Sequence, residues 1–162
     1  MIQKEKIEKI LEEYFLKRSD LFLVEIKISR DNDIEIVVEI DRGFLSLEEC
    51  VNISRFVESK LDREVEDFSL TVGSAGLSRS FKVLRQYHKA VGSEIELKLK
   101  SGEQLKGMLK AVSEEGITFV TKVSEKVEGR NKKVTREVVE EYAFDRIKSA
   151  KPVIKFDDYK NR

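Results

Sequence analysis

The chain has 162 residues, 40% hydrophobic and 38% charged, with 31 Lys and Arg balanced by 31 Asp and Glu. The charged share far exceeds the roughly 25% of an average domain, while the apolar share suffices for one ordinary domain or two small ones. A single cysteine, a single histidine and no apolar run near the roughly 20 residues of a membrane span argue against a disulfide scaffold, a zinc finger, a two-histidine metalloenzyme and a helical membrane protein. The start, Met1 to Lys6, alternates charge where a signal peptide would be apolar, so a reducing cytoplasm is the expected compartment. Zero net charge also argues at first against a simple basic nucleic-acid binder.

Ile7, Ile10, Leu11, Tyr14 and Phe15 recur at helical spacing and predict an amphipathic first helix. From Leu21 the period changes to two, with Val24, Ile26 and Ile28 on one face and Glu25, Lys27 and Ser29 on the other. Asp31-Asn32-Asp33 supplies a turn, and Ile34, Ile36, Val38 and Ile40 alternate with polar residues on the return strand. Ser46 with Glu49 three residues on predicts a capping box. The helix it opens, to about Asp62, carries Leu47, Cys50, Val51, Ser54, Val57 and Leu61 on one face, with Cys50 as a small buried apolar residue. Phe68, Leu70 and Val72 predict a third strand. The order α-β-β-α-β suits two helices on one face of a three-stranded sheet.

Gly73 to Phe81 follows as a loop rich in glycine and serine, leading into a helix-compatible run from Lys82 to Lys89. Such a loop can present backbone N–H groups to an anion at a helix start. It lacks the Gly-Lys-Ser/Thr ending of a P-loop, the three-glycine dinucleotide fingerprint and the Gly-x-Ser-x-Gly elbow. Ser74, Ser78 or Ser80 as a nucleophile would need a positioned base. His88 is the one histidine, and nothing in the sequence brings it within reach, so no catalytic residue, metal or cofactor is expected. Charge is uneven here. Residues 1–90 hold 15 cations and 18 acids, net −3, and the remainder 16 and 13, net +3. Phe68 to Ser93 holds Arg79, Lys82, Arg85 and Lys89 without one acid, after the acidic run Asp62, Glu64, Glu66 and Asp67. A solvated helix face explains such a gap as well as an anion-binding patch does.

In the second half, Ile95, Leu97 and Leu99 alternate with Glu96, Lys98 and Lys100, and Ser101-Gly102 turns the chain into a strand from Glu103 to Val112. Gly107 in mid-strand predicts a bulge or sharp bend. Strands are expected from Ile117 to Val123 and from Val134 to Tyr142, a helical turn over Ala143 to Ser149, and a closing strand over Val153 to Phe156. The core is expected to hold aliphatic residues with Phe119 and Phe144. Short strands at close intervals suggest an all-β SH3-like barrel. Arg130, Lys132, Lys133 and Arg136 form a second basic cluster near a hairpin tip, where a hydrated loop is the plain alternative.

The run Ile95 to Leu109, with its Ser-Gly turn and Gly107 between apolar residues, looks like the first half of an Sm-like barrel. Together with Leu47 to Arg55, running into Leu61-Asp62, and with Leu70 to Arg79, the chain resembles the ribosome maturation factor RimP family along nearly its full length. Val72, Ser74, Gly76, Leu77 and Arg79 match that family's loop, whereas Gly73, Ala75, Ser78, Ser80 and Phe81 depart from it. The resemblance implies an α+β amino-terminal domain over 1–90 and an Sm-like, SH3-type barrel over 91–162. It implies a non-enzymatic assembly factor for the small (30S) ribosomal subunit, a monomer that binds the immature subunit transiently. A decoding-centre ribosomal protein would be met through the barrel, with ribosomal RNA as a further candidate. The expected contact residues are Ser74, Gly76, Leu77, Arg79, Lys82, Arg85 and Lys89 near the junction, with Arg130, Lys132 and Lys133 on the hairpin. The competing readings are an Sm-like RNA-binding module acting outside ribosome assembly, a small hydrolase or transferase using Ser74 or His88, and a protein-docking module.

Overall fold

The computed structural model describes residues 1–76, 79–126, 129 and 133–153, the side chains of 125, 126 and 133 excepted. The chain divides into two compact units, Met1–Gly76 and Leu77–Arg162.

In the first unit, helix α1 (Lys4–Phe15) and helix α2 (Leu47–Ser59) accompany strands β1 (Leu21–Ile28), β2 (Asp33–Ile40) and β3 (Ser69–Gly73). β2 is central, antiparallel to β1 and parallel to β3, so α2 lies in the crossover that two parallel neighbours require. Ile7, Ile10 and Leu11 of α1 and Ile53 and Val57 of α2 join Ile34, Ile36 and Val38 of β2 in one core. Ile7, Ile36, Val38, Ile53 and Val57 are fully buried, and each such side chain contributes about 1.5–3 kcal/mol by leaving water.

Three sequence expectations change here. The β1–β2 register shifts between Leu23 and Glu25. Leu21, Leu23, Ile26 and Ile28 therefore share the core face, while Val24 is buried outside that core. On α2 the apolar face runs through Cys50, Ile53 and Val57, leaving Leu47 and Val51 exposed. Ser46 does cap α2, its Oγ accepting from the Glu49 amide at 3.0 Å. The Glu49 carboxylate is turned instead to α1, accepting from the Tyr14 hydroxyl at 2.7 Å and from Arg18.

The hairpin turn places Asn32 at φ 58°, a left-handed conformation that asparagine tolerates. Its Oδ1 accepts from the Ile2 amide, and its Nδ2 donates to the Asp67 carbonyl and to Glu66. The acidic run is likewise committed locally. Glu66 meets the Met1 ammonium, and Arg63 meets Asp67 while stacking on Phe68 at 4.1 Å.

The second unit begins with a short helix, α3 (Leu84–Ala90). Strands β4 (Glu94–Leu99), β5 (Gln104–Val112), β6 (Gly116–Lys126), β7 (Lys133–Ala143) and β8 (Ile147–Pro152) follow, with a 3-10 turn over Phe144–Arg146 before β8. They form one antiparallel sheet in the order β7-β6-β5-β4-β8. Ile95, Leu97, Leu99, Leu109, Ile117, Phe119 and Tyr142 fill its core together with Tyr87 of α3. Phe81, Tyr87 and Phe144 pack edge-to-face in series, with centroids 4.9 and 5.1 Å apart.

That aromatic series draws Phe81 and α3 into the second unit. The compact units therefore part at Gly76/Leu77, whereas the sequence reading put the junction at 90/91. The mid-strand irregularity lies between Leu109 and Ala111, not at Gly107, which pairs regularly with Ile95. Gly107 answers a packing demand instead, since a Cβ there would sit 2.8 Å from Phe119 Cζ and collide with the Val120 carbonyl. The closing strand is Ile147–Pro152 rather than Val153 to Phe156, and it pairs with β4. Residues 154–156 of the expected strand lie outside the described residues.

Candidate functional site

The division at Gly76/Leu77 sharpens the charge asymmetry. Residues 1–76 carry 11 cations and 18 acids, net −7, and residues 77–162 carry 20 and 13, net +7. The four cations of the acid-free segment, Arg79, Lys82, Arg85 and Lys89, all belong to the basic unit and raise its charge. A unit of net positive charge attracts anionic partners in a salt-dependent way.

The expected contact residues are distributed over both units. Ser74 and Gly76 belong to the first, where both are half-buried, and Gly76 takes φ 68°, open chiefly to glycine. Between them Ala75 is buried, and its amide donates to Glu39 Oε1 of β2 at 2.8 Å. Glu39 is itself buried, so this bond fixes the loop against the sheet. Arg79 and Lys82 are exposed in the second unit, and Arg85 and Lys89 lie half-buried one turn apart on α3, away from the buried Gln86 and Tyr87. Leu77, Arg130 and Lys132 lie outside the described residues. Lys133 opens β7 opposite Lys126.

The helix start does not offer the expected backbone cradle. Gln86 folds back so that its Oε1 accepts from the amides of both Lys82 and Val83. The Phe81 amide donates to the Ala150 carbonyl of β8. The amides of Phe81, Lys82 and Val83 are thus all engaged within the unit. His88 is exposed on α3. Among the described residues no cluster of three or more His, Cys, Asp or Glu could hold a metal, and no helix is long and apolar enough to cross a membrane. Cys50 is buried as expected, and burial, with Glu39 second, pushes its thiol up.

The basic unit carries one further feature, which depends on strand pairing. Beside Ser80, the outward side chains of β4, β5 and β8 line a shallow depression of about 480 Å³. Two cross-strand rows compose it, Lys106–Glu96–Lys151 and Gln104–Lys98–Ser149. Glu96 bridges Lys106 and Lys151, each at 3.4 Å. Among the described residues Lys98 has no acidic partner. The alternation of β4 put Glu96 and Lys98 on the solvent face. Only the pairing register, with a strand β8 that carries little periodicity, brings Lys106 and Lys151 beside them.

Fold and surface together define a two-unit protein, an acidic helix-and-sheet unit followed by a basic antiparallel-sheet unit. Residues 7–78 match the family model described as the RimP N-terminal domain. Ribosome maturation factor RimP of Flavobacterium psychrophilum is 38% identical over 118 residues, covering 73% of this chain and 75% of its own. The protein of the same name from Porphyromonas gingivalis W83 is 37% identical over 133 residues, covering 82% and 86%. That of Cytophaga hutchinsonii is 29% identical over 165 residues, covering 95% and 98%. The chain belongs to the RimP family.

Proposed function

We propose that this protein is a non-enzymatic maturation factor of the small ribosomal subunit, binding the immature 30S particle transiently in the cytoplasm. Its relatives bear the name of ribosome maturation factors over most of their length. The observation that carries the reading at the physical level is the segregation of charge into a −7 and a +7 unit. An assembly factor must engage a strongly anionic particle and then leave it. A chain that joins a basic unit to an acidic one gives moderate, salt-dependent attachment.

In this reading the second unit acts as an Sm-like, SH3-type barrel. The antiparallel order, with the last strand returning to the first and a short helix in front, is compatible with it. That unit carries the contact to a decoding-centre ribosomal protein, and Arg79, Lys82, Arg85 and Lys89 contribute cations to the subunit contact. The deciding experiment is co-sedimentation with immature small subunits across a salt series, for the wild type and for Arg79→Glu with Arg85→Glu. The wild type should co-sediment at low salt and dissociate as salt rises. The double variant should dissociate at lower salt with an unchanged circular dichroism spectrum. Wild-type protein that stays in the supernatant at every salt concentration refutes the function.

A further inference from the structure

We infer that the outer face of β4, β5 and β8 is a binding surface for the phosphodiester backbone of a single RNA strand, engaged by Lys98, Lys106 and Lys151. This deepens the reading above and rests on it for the ribonucleoprotein context. The surface itself comes from the pairing register.

In the depression three ammonium groups accompany one carboxylate, so its lining is cationic after its internal pairs are counted; Glu94 lies one row further along β4, outside the lining. Neighbouring strands lie about 4.8 Å apart, which places Lys106 and Lys151 about 10 Å apart with Glu96 between them, and Lys98 is about 7 Å further along β4. Gln104, Ser149 and Ser80 add neutral hydrogen-bonding groups to the same depression. Lysine is a compact point charge without the planar fork that reads a base edge or a lone carboxylate. A splayed field of lysines with hydroxyl and amide groups suits a chain of repeated phosphates met by charge, not by sequence.

The alternative occupant, an acidic polypeptide, fits less well. Protein partners are held chiefly by buried apolar and aromatic anchors. The apolar side chains of this lining, Leu97 and Leu105, are engaged in the core beneath. Glu96 has a defined part. It holds Lys106 and Lys151 inward in the free protein and opposes a phosphate arriving between them.

The test uses the full chain and a fluorescein-labelled single-stranded oligouridylate of 15 nucleotides (~15, long enough for several phosphate contacts), with anisotropy measured across a salt series. Replacing Lys98, Lys106 and Lys151 together by glutamine should lower the slope of log affinity against log salt by about 2, at about 0.7 for each single-strand phosphate contact. Lys110→Gln, exposed on β5 outside the depression, should leave the slope unchanged. Glu96→Gln should tighten binding about threefold, the effect of removing one charge about 7 Å from a phosphate in water. A slope equal to the wild type's in the triple variant, or no wild-type binding, overturns the inference. So does a triple variant that loses an acidic peptide but keeps the RNA. If RNA binding fails while small subunits still co-sediment, the inference falls and the proposed function stands.

Discussion

The Glu39 carboxylate accepts the Ala75 amide at 2.8 Å across 36 positions of sequence, and both residues are buried. A buried amide without an acceptor costs about 1–3 kcal/mol. Glu39→Ala should therefore lower the unfolding free energy by that order, with Glu39→Gln retaining part of it, as read from urea denaturation. Amide exchange at Ala75 should accelerate in the alanine variant before global unfolding. Equal stability and exchange in all three proteins would show that the loop is held by other contacts.

Gly107 makes a different kind of demand. A methyl group there meets the Phe119 ring and a backbone carbonyl of β6, and backbone yields less readily than a flexible side chain. Gly107→Ala should destabilise the second unit by about 1–3 kcal/mol. Gly43→Ala, where an added Cβ meets nothing within 4 Å, should cost only its left-handed backbone strain. Denaturation midpoints of the two variants separate packing from conformation.

Tyr87 and Phe81 make the boundary testable. A fragment of residues 77–162 should show a cooperative thermal transition, whereas 91–162, stripped of both rings, should lose it. Tyr87→Ala in the full chain should cost about 3–5 kcal/mol, as for other buried aromatic residues. A cooperative 91–162 fragment of native-like stability would return the boundary to residue 90.

Tyr142 gives the pH dependence. Burial first, then the 2.6 Å hydrogen bond to Glu140, pushes its phenol up to about 12 from the usual 10. Because the folded value is the higher one, the stabilisation is complete below pH 10 and is lost as pH rises from about 10 to about 12. Burial raises the Tyr87 phenol as well, so in a spectroscopic titration Tyr142 is the late-ionising tyrosine that shifts downward in Glu140→Gln. If the late component is the same in Glu140→Gln as in the wild type, the interaction does not hold.

What the sequence displayed was local. The face of α1, the Ser46 cap and the alternation of Ile34, Ile36 and Val38 follow from neighbours within a few positions, and all recur in the fold. The misplaced features depend on distant partners. Val24 left the helix-facing core because β1 slips against β2. β8 escaped notice because only Ile147 and Ala150 of its six residues are buried, too few to set a period. α3 reads as the end of one unit until the rings of Phe81 and Phe144 close on Tyr87. The lysine face required the β4–β5 and β4–β8 registers together, since its cations come from three strands that only the pairing brings side by side.

The division into −7 and +7 has a colloidal consequence. Charges that cancel only in sum leave almost no net repulsion between copies near neutral pH, where the sequence pI of about 6.7 also lies. The acidic unit of one molecule then attracts the basic unit of another, an attraction that strengthens as the Debye length grows on dilution of salt. Salt screens that attraction, and by the same screening it would weaken the hold of Lys98, Lys106 and Lys151 on an anion.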